Sequence, residues 1–255
     1  MNREATDLAG VRHIAYEALG STNAEGLARA RAGERGPVWI SARTQDAGRG
    51  RRGGAWTSEP GNLYASLLLT DPAPPAQAPQ LSFVAALALH DAVAECAAAL
   101  GPMLALKWPN DLMVGGAKLA GILIEGDSSS GLTTGMAVVA GIGVNCVSHP
   151  SGTPYPATDL MAAGAMVEPQ SLLAALAAAT QKRLAQWDRG QGFAAIRAAW
   201  LKRAAGLGLD IKVRLPEREF TGLFEGLDDT GRLLVRGSAG VTTVTAGEVF
   251  GFGGE

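Results

Sequence analysis

Cysteine is almost absent. Cys96 and Cys146 are the only two in 255 residues, which excludes a disulfide framework and fits a reducing, cytoplasmic setting. Long apolar runs are missing as well: no stretch reaches the roughly 20 residues of a bilayer-spanning helix. The opening MNREATDLAG lacks the basic-then-apolar layout of a signal peptide. There is no excess of positive charge, the formal net charge being -2, so no whole-molecule electrostatic case for nucleic acid exists. Aromatic residues make up only 5%, few for the stacking platforms of a single-strand binder. What remains is a soluble globular chain, long enough for a proper core and for one large domain, or one large and one small.

The informative stretch is residues 41–69, SARTQDAGRGRRGGAWTSEPGNLYASLLL. Two strand-like runs, 38–43 and 63–69, flank a loop holding Arg49, Arg51 and Arg52 among Gly48, Gly50, Gly53 and Gly54. Guanidinium groups that close repel one another, and the glycines make the loop costly to order. A chain needing only a turn would use two residues. Glycine lets backbone N–H groups approach an anion, and arginine offers a fixed fork for carboxylate or phosphate. The competing readings are a solvated surface loop and an RGG-like RNA-binding segment. Trp56, just beyond the arginines, reads either as core or as a lid over an apolar slot.

Residues 1–10 are polar and read as frayed. A short strand at 13–16 leads through Gly20-Ser21-Thr22-Asn23 into a helix at 24–32. Thr22 and Glu25 have capping-box spacing, and a helix start carrying Ser, Thr and Asn can equally bind polar ligand groups. A long helix spans 81–100, closed by Gly101 and Pro102, with His90 given no chemistry. Residues 104–111, LALKWPND, run a strand into a proline-broken turn; Gly115-Gly116 then signals a hairpin. The return strand, 117–125, has faces Lys118/Ala120/Ile122/Ile124 and Leu119/Gly121/Leu123, apolar on both sides and therefore central. A lysine on such a strand is better explained by an anion in a cleft than by solvation. A buried strand at 136–146 ends in Gly141, Gly143 and Asn145, where Gly143 marks a ligand's approach or a packing bulge. Helices follow at 171–187 and 193–204. Short strands with Gly, Asp and Pro turns fill 210–250, the texture of a small β-barrel, with a boundary near 206–208.

Taken in order, Ser21-Thr22-Asn23, Gln45 with GRGRRG, Lys107-Trp108-Pro109-Asn110-Asp111 and Lys118-Leu119-Ala120-Gly121-Ile122-Leu123 resemble the biotin protein ligases. The resemblance implies an α/β mixed-sheet catalytic domain (residues 1–206) followed by a small C-terminal SH3-like β-barrel (residues 207–255). It implies ATP- and Mg²⁺-dependent activation of biotin to biotinyl-5′-AMP, then transfer to a lysine of a biotin carboxyl carrier protein. Carried over residue by residue, the catalytic set is Lys118, Arg49, Arg51 and Asp111. The contacts to biotin and the adenylate are Ser21, Thr22, Asn23, Gln45, Gly48, Arg49, Gly50, Arg51, Trp56, Lys107, Asn110, Lys118, Gly121 and Asn145. No protein residue is assigned to the metal, which comes with ATP. Gly54 stands where the family more often has a further arginine. The family's regulatory members begin with a winged helix-turn-helix, for which no length precedes Ser21; the expectation is a monofunctional enzyme without specific DNA or membrane binding. A homodimer is one admissible assembly. Lipoate ligases and lipoyl or octanoyl transferases share the catalytic fold but lack the arginine–glycine loop and the KWPND turn.

Overall fold

The computed structural model describes residues 6–128 and 135–252. Its larger sheet has eight strands in the order β1-β2-β3-β4-β8-β7-β6-β5. These are β1 (Thr6–Leu8), β2 (Val11–Leu19), β3 (Val38–Gln45), β4 (Leu63–Thr70), β5 (Leu104–Lys107), β6 (Asp111–Val114), β7 (Ala117–Asp127) and β8 (Ala137–Val144). Only β2 and β3 run parallel, joined by the helix α1 (Thr22–Arg31), so the sheet is mixed. A second sheet of five antiparallel strands holds β9 (Asp210–Arg214), β10 (Glu219–Leu227), β11 (Leu233–Gly237), β12 (Gly240–Val244) and β13 (Glu248–Phe252), in the order β12-β11-β10-β9-β13. It takes the place expected for the small barrel.

Strand periodicity explains how the core divides. Along β4, Leu63, Ala65, Leu67 and Leu69 enter the large core with the helices α2 (Leu81–Cys96), α3 (Pro169–Trp187) and α4 (Phe193–Leu201). Leu68, on the opposite face, joins Ile40, Val139 and Ala30 in a smaller cluster under α1. Alternate side chains of a strand point to opposite faces, so Ser66 and Tyr64 share the α1 side. That face carries the site.

Several local readings change. Residues 6–8 pair with β2 rather than fray; residues 1–5 lie outside the described part. The capping box does not form: Ser21 is the N-cap, accepting from Ala24 N at 3.4 Å. Glu25 is instead taken by the Tyr16 hydroxyl at 2.6 Å and Arg29 Nε at 2.8 Å. Helix α2 stops at Cys96, and the chain continues as a 3₁₀ turn over Ala98–Met103, where Pro102 has no N–H to extend the α ladder. The Gly115-Gly116 hairpin is as expected, with φ of 55° and 83°.

The two sheets meet along several contacts. Trp108 Nε1 donates to Gly231 O at 3.1 Å inside the core. The segment after α4 lies along the outer edge of β5, with Leu106 N donating to Arg203 O at 2.7 Å and Ala205 N to Leu106 O at 2.9 Å. No helix among the described residues is long and apolar enough to cross a membrane.

Candidate active site

A cleft of about 240 Å³ opens on the α1 side of the larger sheet. Its polar end is the start of α1 with Gln45 of β3. Its floor is Gly121 and Leu123 of β7 with Gly141 and Gly143 of β8. Its rim is the arginine loop, and its far wall brings Lys107–Asp111 against Glu248, Val249 and Phe250 of β13.

A β-bulge aims the key lysine. Leu112 pairs with Ala120 but Met113 pairs with Lys118, so Leu119 is an extra residue in β7. One inserted residue reverses the alternation. Strict alternation puts Lys118 on the Ala120/Ile122 face; the bulge instead turns it into the cleft beside Gly121. Asn145 N donates to Leu119 O at 3.0 Å at this point, and Lys118 N donates to Pro156 O at 2.8 Å. Asn145 is thus placed behind the bulge, its amide donating to Thr158 O at 2.9 Å, and it does not line the cleft.

Lys118 Nζ lies 2.8 Å from Asp111 Oδ1, a close ion contact without hydrogen-bond alignment, and 5.2 Å from the Tyr155 ring centre. Lys107 Nζ is 3.9 Å from Asp111 Oδ2 and sits over Tyr155 and Phe250, each at 5.7 Å. Asp111 therefore stands between two ammonium groups. Burial pushes the Lys107 ammonium below its ordinary range, against the pull of Asp111. The anion expected opposite Lys118 is, in this structure, the chain's own aspartate.

Backbone hydrogen bonds tie the arginine loop together at its base. Gly50 N donates to Gly54 O at 2.7 Å, and Trp56 N donates to Gly48 O at 2.9 Å, so Gly48 anchors the loop base and is not on the cleft wall. Arg51 Nη1 reaches Asn110 Oδ1 at 3.3 Å, while Asn110 Nδ2 donates to Ile122 O at 2.7 Å. Burial, with Arg52 adding, pushes the Arg51 guanidinium below its ordinary range. The Trp56 ring lies on the floor, where a Cβ on Gly143 would be 2.5 Å from it. Trp56 is therefore part of the cleft rather than core. Its indole N–H is buried without a partner among the described residues.

At the polar end, Thr22 N donates to Gln45 Oε1 at 2.8 Å and Gln45 Nε2 to Ser58 Oγ at 3.0 Å. Asn23 Nδ2 donates to Glu125 Oε2 at 2.8 Å. Sequence reading missed Ser58, Ser66, Glu125, Tyr155 and the β13 residues. Their only signal is position in space, since they come from segments remote from the quoted motifs.

The site is a cationic, glycine-floored cleft on a mixed sheet, suited to holding anionic oxygens, and the comparisons place the chain among the ligases. Residues 27–145 match the Biotin/lipoate A/B protein ligase family and residues 206–250 the Biotin protein ligase C terminal domain. The chain is 47% identical to a biotin–acetyl-CoA-carboxylase ligase of Paracoccus denitrificans, over 92% of this chain and 98% of that protein. Among solved structures, a biotin protein ligase of Aquifex aeolicus in complex with biotin and ATP superposes with TM-score 0.78 at 24% identity, covering 93% of this chain and 97% of that one. That likeness establishes the fold. A Leishmania major biotin protein ligase in complex with biotinyl-5-AMP is 27% identical with TM-score 0.65, covering 91% of this chain and 98% of that one. The chain belongs to the biotin protein ligase family.

Proposed function

We propose that this protein is an ATP-dependent ligase that activates biotin as biotinyl-5′-AMP and transfers it to a lysine of a biotin carboxyl carrier protein. The observation that carries this is Arg49, Arg51, Lys107 and Lys118 converging on one cleft beside a polar pocket. A carboxylate attacking the α-phosphate of ATP brings two anions together, and fixed cations offset that repulsion as charge develops. Lys118 and Arg51 are the groups placed to hold the carboxylate and phosphate oxygens. Ser21, whose hydroxyl proton is not used in capping, and the second Gln45 amide hydrogen offer donors to a ureido carbonyl. Trp56 and the glycine floor enclose the apolar ring.

The donor set fits magnesium carried by the nucleotide. Asp111 and Glu248 are the carboxylates on the cleft. Mg²⁺ keeps most of its water and takes one or two carboxylates plus phosphate oxygens. Asp111 would face it, and the ion would neutralise phosphate charge.

We assign residues 1–206 to catalysis and 207–255 to a C-terminal domain that closes the far wall through Glu248 and Phe250. The setting is cytoplasmic, the acceptor a carrier domain of a carboxylase, and specific DNA binding is not expected. Pyrophosphate release tests the reading. It should require both biotin and ATP, and label should then appear on the carrier lysine. Equal release with lipoate in place of biotin would overturn the biotin assignment.

A further inference from the structure

Glu125 stands at the inner end of the arginine loop and belongs to none of the motifs above. It shares the cleft-side face of β7 with Gly121 and Leu123, and its side chain is 25% exposed. One oxygen, Oε2, accepts from Arg49 Nη2 at 3.0 Å and from Asn23 Nδ2 at 2.8 Å.

Asn23 itself is tightly specified. Nδ2 also donates to Leu123 O at 3.2 Å, and Oδ1 lies 2.6 Å from Ser66 Oγ, a fully buried hydroxyl. Gly141, opposite Leu123, leaves the seat for the amide: a Cβ there would be 2.2 Å from Asn23 Oδ1. Both amide hydrogens are spent inside the protein, so Asn23 has no donor left for a ligand. Ser66 Oγ is also 2.7 Å from Thr22 Oγ1, and Thr22 is tied to Gln45. The result is one hydrogen-bonded chain from the loop's Arg49 through Glu125, Asn23 and Ser66 to the polar pocket.

We infer that Glu125 is a positioning residue for the ligase reaction, fixing Arg49 at the rim and joining the arginine loop to the wall that binds biotin's head; this rests on the function proposed above. An exposed arginine–carboxylate pair has little weight by itself. Here the same oxygen is held by an amide that is 3% exposed, so the carboxylate has a defined place. With Nη2 committed, Nη1 and Nε of Arg49 keep a fixed aim, and the guanidinium need not be ordered when ligand arrives.

Glu125→Gln in the full-length protein is the test, since it keeps an acceptor for Asn23 and removes the charge that holds Arg49. Single-turnover adenylation should show the biotin concentration for half-maximal rate rising about tenfold, the loss of one charge-assisted bond, and the rate at saturating biotin falling by no more than that, since Arg49 is one of several cations set against the developing charge. Tryptic nicking after the loop arginines should increase in the absence of ligand. In an Arg49→Ala background, Glu125→Gln should add no further loss, because residues acting through one another are not additive. Glu125→Asp should restore part of the affinity. An unchanged half-saturation, losses that add in the double variant, or a fall in melting temperature and maximal rate without the affinity effect would each overturn the role. A wild-type protein that binds no biotin in a direct titration would fail the functional reading itself.

Discussion

Lys118→Ala should lower the rate of biotin adenylation by about 10²–10³-fold, the loss seen when a single preorganised group at a developing charge is removed, while biotin affinity changes only a few-fold. Lys118 is directed into the cleft by the β7 bulge and held 2.8 Å from Asp111, so its ammonium is in place before substrate arrives. Groups whose interaction strengthens in the transition state affect rate more than binding. Lys118→Arg should rescue poorly. The ammonium sits 5.6 Å from the Trp56 ring and 5.2 Å from the Tyr155 ring, and a planar fork cannot occupy that compact place. Isothermal titration of biotin beside single-turnover adenylation separates the two effects. An alanine variant that adenylates at the wild-type rate would reduce Lys118 to a structural partner of Asp111.

Asp111→Asn should damage both folding and chemistry. It leaves two mostly buried lysines facing each other, since Lys107 and Lys118 both lie within 4 Å of this carboxylate. Removing one member of a buried charged group costs about 3 kcal/mol at the lower end of measured cases. A pH signature follows. Lys107 is already held below its ordinary range by burial, and without Asp111 it moves lower still. Between that folded value and the ordinary lysine value, the unfolded chain binds more protons than the native one, so unfolding free energy rises with pH. The rise should begin at lower pH in Asp111→Asn than in the wild type. Urea melts over roughly pH 7–10, approaching the usual lysine range, measure it; matching midpoints and matching slopes would refute the coupling.

Much of this was legible in the chain because its signals are local. Strand-like apolar runs marked β3 and β4, paired glycines marked the β6–β7 hairpin, and glycines around arginines marked the anion-binding loop. The bulge at Leu119 was not legible, since it depends on how β6 pairs with β7 rather than on either strand alone. That is why alternation alone puts Lys118 on the Ala120/Ile122 face, while the structure turns it into the cleft against Asp111. Glu125 carries no signal in the sequence, and Asn23 reads there as a ligand contact, because the bonds that join them to the fold cross about 100 residues. Thr22 and Glu25 have the spacing of a cap, but Tyr16 and Arg29 compete successfully for the glutamate. The contribution of β13 was invisible for a similar reason: the barrel-like texture of residues 210–250 says how it folds, not what it touches.

The backbone after α4 also governs how the molecule can be divided. Arg203 and Ala205 take up the outward-facing hydrogen-bonding groups of Leu106 on β5, so one end of the eight-stranded sheet is sealed by the chain itself. Cutting the chain before residue 203 would remove the small sheet and uncover an unpaired strand edge, a template for pairing with other chains. The short segment at 203–205 is thus a guard against edge pairing, and the small sheet beyond it a wall of the cleft. A shortened form would be an aggregation hazard rather than a minimal enzyme.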